Sequence, residues 1–139
     1  MSPELDFFGI VVSDMARSVA FYRRLGLEFP EGAENEQHVE APLRGGMRYA
    51  LDTEEVMRSF DPEWTRPSGG HATGGAFRCE SPAELDRVYA ELLDAGARPH
   101  KEPWDAFWGH RYAQLADPDG TVIDLYAPLP EQGSDPPPG

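Results

Sequence analysis

Trp104, Phe107, Trp108 and Tyr112 fall within positions 104–112, ahead of an Asp117-Pro118-Asp119-Gly120 turn and a strand with one candidate acid, Asp124. Two strands joined by an Asp-Gly turn need alternating apolar residues, but nothing in that requirement calls for two tryptophans. An aromatic-rich strand beside a lone carboxylate has the chemistry of a pocket wall for a flat organic ligand, with rings to stack on and an acceptor to orient it. Any one of these rings taken singly can equally fill a core. The four together favour the wall.

Other residues capable of chemistry are sparser. The histidines are His38, His71, His100 and His110, and no two stand in the His-x-x-x-His spacing that would place paired metal ligands on one helix face. His38 and His110 fall on expected strands and are candidates for lining a cleft. His71 and His100 fall in loops or at strand ends, where solvated histidines are common. Cys79 is the single cysteine, so no internal disulfide forms, and its alternation with Phe77 marks it as a buried, inert thiol. There is no Gly-x-Ser-x-Gly elbow and no Gly-rich phosphate loop. Asp52 and Asp124 occupy nearly corresponding strands in the two halves of the chain. As a pair they would serve as acid and base; singly they would be structural groups or hydrogen-bond partners of a ligand.

The elements that must position these residues can be read from pattern. A helix is expected from about Asp14 to Leu25, with Asp14 as N-cap, Met15, Val19, Tyr22 and Leu25 as its apolar stripe, and Gly26 as its stop. A second is expected from Pro82 to about Ala95, with Ser81 as N-cap, Glu84 completing a capping box, and Leu85, Val88, Tyr89, Leu92 and Leu93 as the buried stripe. Each helix follows a short strand (7–12 and 75–80) and precedes extended segments (27–29, 37–43 and 46–52; 97–100, 108–115 and 121–126). The order is β-α-β-β-β, twice, with a Gly-led final strand in each half, an internal repeat of about 70 residues. A short helical piece, Glu54–Phe60, precedes a Pro/Gly/Ser-rich stretch. The expected organisation is a first module over 1–60, a linker over 61–75, a second module over 76–128 and a disordered Pro-rich tail over 129–139.

The 139 residues suit one domain or two fused half-domains, and 40% hydrophobic residues suffice for a core. Lys+Arg 12 against Asp+Glu 25 gives a net charge of -13. That balance argues against nucleic acid and against anionic membranes, both of which need a basic surface. The N-terminus lacks the layout of a signal peptide and no apolar run approaches spanning length, so the expected location is the cytoplasm.

Two stretches carry a family resemblance: Ser13-Asp14-Met15-Ala16-Arg17-Ser18-x-x-Phe21-Tyr22-x-x-Leu25-Gly26 after a strand, and Trp108-Gly109-x-Arg111 followed by Asp117-Pro118-Asp119-Gly120-x-x-Ile123-Asp124-Leu125. With them the chain resembles the vicinal oxygen chelate (glyoxalase/bleomycin resistance protein/dioxygenase) superfamily over residues 5–128. The resemblance implies an α+β fold of two βαβββ modules whose curled mixed sheets form a cleft. The superfamily includes metal-dependent isomerases, extradiol dioxygenases, fosfomycin-modifying enzymes and metal-free drug-sequestering proteins. Its enzymes hold a divalent metal with residues on the first and last strands of the modules. Carried over by position, those ligands fall at Phe7, Gly74 (plus or minus one), Ala50 and Asp124, and three of the four side chains cannot bind a metal.

Within the superfamily the resemblance is to the mitomycin- and bleomycin-binding resistance proteins. It rests on Gly45-Gly46-Met47-Arg48, Asp52-Thr53, Arg58-Ser59-Phe60-Asp61-Pro62-Glu63-Trp64, and Pro103-Trp104 through Trp108-Gly109-x-Arg111-Tyr112-Ala113. It implies a metal-independent protein without cofactor or catalytic residues, which encloses a planar aromatic or quinone-type antibiotic between aromatic side chains and works as a homodimer. The implied ligand-binding residues are Phe7, His38, Asp52, Phe60, Trp108, His110, Tyr112 and Asp124. Trp108 would pair with Phe60 or Tyr112 around the ligand. Arg111 would pair with an acid or cap carbonyls. Two alternatives stay open: a metal-dependent glyoxalase- or dioxygenase-like enzyme with a rearranged site, and a binding protein for a biosynthetic intermediate.

Overall fold

The computed structural model describes residues 4–68 and 75–130. The chain divides into two compact units, residues 1–69 and 70–139. Each is an α+β module built around its own sheet, and no described helix is long and apolar enough to cross a membrane.

In the first unit β1 (Phe7–Val12) leads into α1 (Met15–Arg24), followed by β2 (His38–Pro42), β3 (Arg48–Thr53) and α2 (Glu54–Phe60). The sheet order is β1-β3-β2, with β1 parallel and β2 antiparallel to β3. α1 starts where Asp14, in extended backbone, accepts the Arg17 N–H at 3.0 Å. It ends at Gly26, whose φ of +93° a side chain would resist, and the Leu27 N–H turns back to the Tyr22 carbonyl at 3.1 Å. Met15, Val19 and Tyr22 are buried, and the Tyr22 ring meets that of Tyr49 on β3 at 5.5 Å. Tyr49 in turn meets Phe8 at 6.0 Å, so these two, with Val39, Ala41 and Leu51, mark the helix-covered face. Because side chains alternate, Phe7, Gly9, Arg48, Ala50, Asp52, His38 and Glu40 lie on the opposite, open face.

The expected strand over 27–29 does not form. The Arg23 guanidinium takes the carbonyls of Phe29 and Pro30, at 3.4 and 2.9 Å, and Pro30 has no N–H to give a neighbour. The backbone groups that would have made a ladder are thus spent locally, and the chain continues through a 3₁₀ turn at Ala33–Asn35. The first module is therefore β-α-β-β, one strand short of its counterpart. α2 follows directly, capped by Thr53, whose hydroxyl accepts the Val56 N–H at 3.2 Å.

In the second unit β4 (Gly75–Arg78) leads into α3 (Pro82–Asp94), then β5 (Arg98–Asp105), β6 (His110–Ala116) and β7 (Val122–Pro128). The order is β4-β7-β6-β5, with β4 parallel to β7 and the other pairs antiparallel. Ser81 accepts the Glu84 N–H at 3.1 Å, and the Glu84 carboxylate reaches back to the Glu80 N–H at 2.9 Å, one residue ahead of the capping box expected. Leu85, Tyr89 and Leu92 of α3 are buried, as are Ala113, Leu115, Ile123 and Leu125 of the sheet beneath. On this face Arg111 ties β6 to the helix and to β5, through Asp86 at 2.8 Å and Asp105 at 2.9 Å. The β6–β7 turn is held by buried Asp117, which accepts the N–H groups of Asp119 and Thr121, each at 2.9 Å, while Gly120 takes φ +86°. Cys79 is buried, and desolvation pushes its thiol up in pKa. His71, Gly74, part of the expected linker and most of the expected tail lie outside the described residues.

Candidate functional site

The open face of the second sheet carries the aromatic row. Tyr112 on β6 pairs in register with Tyr126 on β7 and with Trp104 on β5, so all three point away from α3. Two register shifts in β5, between Pro99 and Lys101 and between Lys101 and Trp104, bring Trp104 opposite Tyr112. Trp108 projects from the turn between β5 and β6. Ring centroids lie 5.6 Å apart for Trp104–Tyr112, 5.5 Å for Trp108–Tyr112, 6.2 Å for Trp104–Trp108, 6.4 Å for Tyr112–Tyr126 and 5.0 Å for His110–Tyr126. The tryptophans meet Tyr112 and each other edge to face, so the rings form a continuous wall with no ligand-sized gap between Trp108 and Tyr112. Phe107, 96% exposed, extends it at 5.1 Å from Trp108, which is 39% exposed.

A polar stripe crosses this wall. Tyr112 donates its hydroxyl to one oxygen of Asp124, and Gln114 donates its amide Nε2 to the other at 2.8 Å. Burial, and then the hydrogen bond to Asp124, pushes the Tyr112 phenol up to about 12. The phenol is therefore a neutral donor at any ordinary pH.

The open face of the first sheet carries a chain of charges instead. Arg48 donates to Asp6 and, at 2.6 Å, to Glu40. Glu40 meets His38 Nε2 at 2.8 Å, and His38 Nδ1 lies 2.5 Å from Asp52. Each imidazole nitrogen thus faces a carboxylate, and the His38 pKa is raised by the hydrogen bonds to Glu40 and then Asp52. Glu40 is lowered by His38 and then Arg48.

Of the site residues expected from sequence, His110, Trp108, Tyr112 and Asp124 come together on the second sheet, and Phe7, His38 and Asp52 share the open face of the first. Phe60, at the end of α2, is 68% exposed and belongs to the first unit. Sequence reasoning missed Gln114, Tyr126, Arg48, Glu40 and Asp6 as members of these clusters. The available signal was alternation: Tyr112-x-Gln114 and Asp124-x-Tyr126 each place two polar or aromatic groups on one face. Arg111 points to the other face and pairs with acids.

Of the metal positions implied by the resemblance, the three among the described residues do not suit a metal. Phe7 has no donor atom, and the Arg48 guanidinium lies over its ring, 5.4 Å from the centroid. Ala50 is a fully buried methyl. Both Asp124 oxygens already accept hydrogen bonds from neighbours on the same sheet. Among the described residues no three His, Cys, Asp or Glu side chains are grouped as metal ligands would be.

Comparison with known proteins agrees with the module architecture. The chain is 28% identical over 122 residues to the uncharacterized protein YraH of Bacillus subtilis strain 168, covering 86% of this chain and 94% of YraH. The crystal structure of a glyoxalase/bleomycin resistance protein/dioxygenase family enzyme from Burkholderia phytofirmans PsJN superposes with a TM-score of 0.78 at 19% identity, covering 91% of this chain and 100% of that one. A glyoxalase/bleomycin resistance protein/dioxygenase from Nocardioides gives 0.70 at 24% identity, covering 100% and 91%. These likenesses carry the fold. The model of the Glyoxalase/Bleomycin resistance protein/Dioxygenase superfamily matches residues 4–125, and with the repeated module, the capped helices and the Asp117–Gly120 turn it shows that the chain belongs to that superfamily.

Proposed function

We propose that this protein binds a planar aromatic or quinone-type small molecule without a metal, and that its task is to sequester an antibiotic. The observation that carries the reading is the continuous row Trp104–Trp108–Tyr112–Tyr126–His110 on the open face of the second sheet, with the Tyr112–Asp124–Gln114 stripe across it. A flat ring laid on such a wall gains aromatic contact worth about 1 kcal/mol per pair beyond its buried area. The stripe orients it. The protein's net charge of -13 favours a neutral or basic ligand over an acidic one. The wall covers one face of a ligand; the other would be covered by further aromatic surface, and exposed Phe107 and Trp108 are what a homodimer in the cytoplasm would bury.

The test is a titration of tryptophan fluorescence in EDTA with a mitomycin-type quinone and a bleomycin-type glycopeptide. Saturable quenching near one ligand per chain is the expected result. Silence towards both, with a response only when a divalent metal is added, would replace this reading with a metalloenzyme whose site is rearranged.

A further inference from the structure

We infer that Asp124 sets the hydrogen-bond polarity of the aromatic wall, so that the preferred ligand is a planar ring carrying an N–H donor on its edge. The inference rests on the wall being the binding surface and goes further by naming what the ligand must offer.

The argument follows the protons. Tyr112 spends its hydroxyl proton on Asp124, which leaves the phenol oxygen with lone pairs only. Gln114 donates one Nε2 hydrogen to the same carboxylate and keeps its second N–H and its carbonyl oxygen for other partners. Asp124 accepts one bond at each oxygen and retains further lone pairs. Two neighbouring groups, the Tyr112 hydroxyl on β6 and Asp124 on β7, thus present only acceptors. A ligand edge of carbonyl or ether oxygens would face these lone pairs unpaired, while an amine or amide N–H would be bonded, in part to an ionised group.

The flanks differ. Arg78 on β4 pairs in register with Tyr126 and shares its face, and the Lys101 ammonium lies over Trp104, 4.9 Å from the ring centroid. Those donors suit carbonyls elsewhere on the same ring. The ligand class that satisfies both is an amino-substituted conjugated carbonyl compound, with its amine at the centre of the wall and its carbonyls towards the flank.

The experiment compares 2-amino-1,4-naphthoquinone with 2-methoxy-1,4-naphthoquinone by tryptophan fluorescence on the full chain. The ring system is the same and only the edge group changes from donor to acceptor. The wild type is expected to bind the amino compound about tenfold more tightly or better, the range of one hydrogen bond to a charged group. Asp124→Asn should bring the two within about threefold, whereas Tyr112→Phe, which keeps both ring and carboxylate, should retain the preference. Circular dichroism establishes that each variant is folded. Equal binding of the two compounds by the wild type, or an undiminished preference in Asp124→Asn, overturns the inference and leaves the wall standing. Failure of both compounds to bind overturns the wall and the inference together.

Discussion

The Arg48 guanidinium lies over the Phe7 ring, held from either side by Asp6 and Glu40. Phe7 is one of the positions to which the family resemblance, carried over by position, assigns a first-strand metal ligand. A divalent ion arriving there would meet a fixed positive charge and an aromatic face in place of a lone pair. Excess zinc, nickel or manganese is therefore expected to leave the melting temperature and the fluorescence titration unchanged. A stoichiometric metal that raises thermal stability, as any ligand of the folded state must, would refute this.

The charge chain through His38 gives the first module a pH signature. His38 has a folded pKa above its ordinary 6.5, so its contribution is complete below 6.5 and is lost as pH rises through the folded value. Glu40 is shifted the other way from 4.5, so its contribution is complete above 4.5 and is lost as pH falls through the folded value. Stability from this network should therefore be greatest between those two ordinary values. Denaturant midpoints measured across that range and above it should fall on the alkaline side, and His38→Gln should flatten the alkaline slope. An unchanged slope in that variant would show that another group titrates.

Trp108→Ala should separate binding from folding. The side chain is 39% exposed and touches other rings at their edges, so its loss should cost little stability while weakening a planar ligand by about tenfold or more, the range for losing a base- or ring-stacking partner. Phe107→Ala, at a fully exposed position, should move stability by less than about 0.5 kcal/mol. Comparable losses of melting temperature and affinity in Trp108→Ala would mark the ring as core.

Asp117 gives the opposite contrast. Its carboxylate is buried, and one oxygen accepts two backbone N–H groups, so Asp117→Ala removes the acceptor they share in the turn between β6 and β7. The expected destabilisation is about 1–3 kcal/mol, read from urea denaturation. Leu125→Ala, which empties a fully buried site on β7, should cost about 2–5 kcal/mol by the same measurement.

How much of this was legible in the sequence follows from the range of each signal. Asp14, Ser81, Pro82, Gly26 and the Asp117–Gly120 turn act through residues within a few positions, and the structure places helix starts and the hairpin where those residues predict. The Glu54–Phe60 helix is likewise local. What the sequence did not show was which residues stand opposite one another. The ties from Arg48 to Asp6 and Glu40, and from Gln114 to Asp124, depend on register between strands, and alternation reveals the face without naming the partner. The missing strand over 27–29 failed for a similar reason: Arg23 lies on a helix, and nothing in its type announces that it will take the carbonyls of Phe29 and Pro30.

That capture by Arg23 has a kinetic consequence. Among the described residues β2 has a single strand neighbour, while β6, its counterpart in the repeat, lies between two. The Thr53–Gln37 and Leu43–Met47 bonds set the phase of the β2–β3 ladder, which turns the amides of His38 and Glu40 outward. Deuterium should enter those two amides long before it reaches the inner amides of β6. Two halves with a similar order of elements would then breathe on separate clocks, the first opening at its edge while the sheet that carries the aromatic wall stays shut.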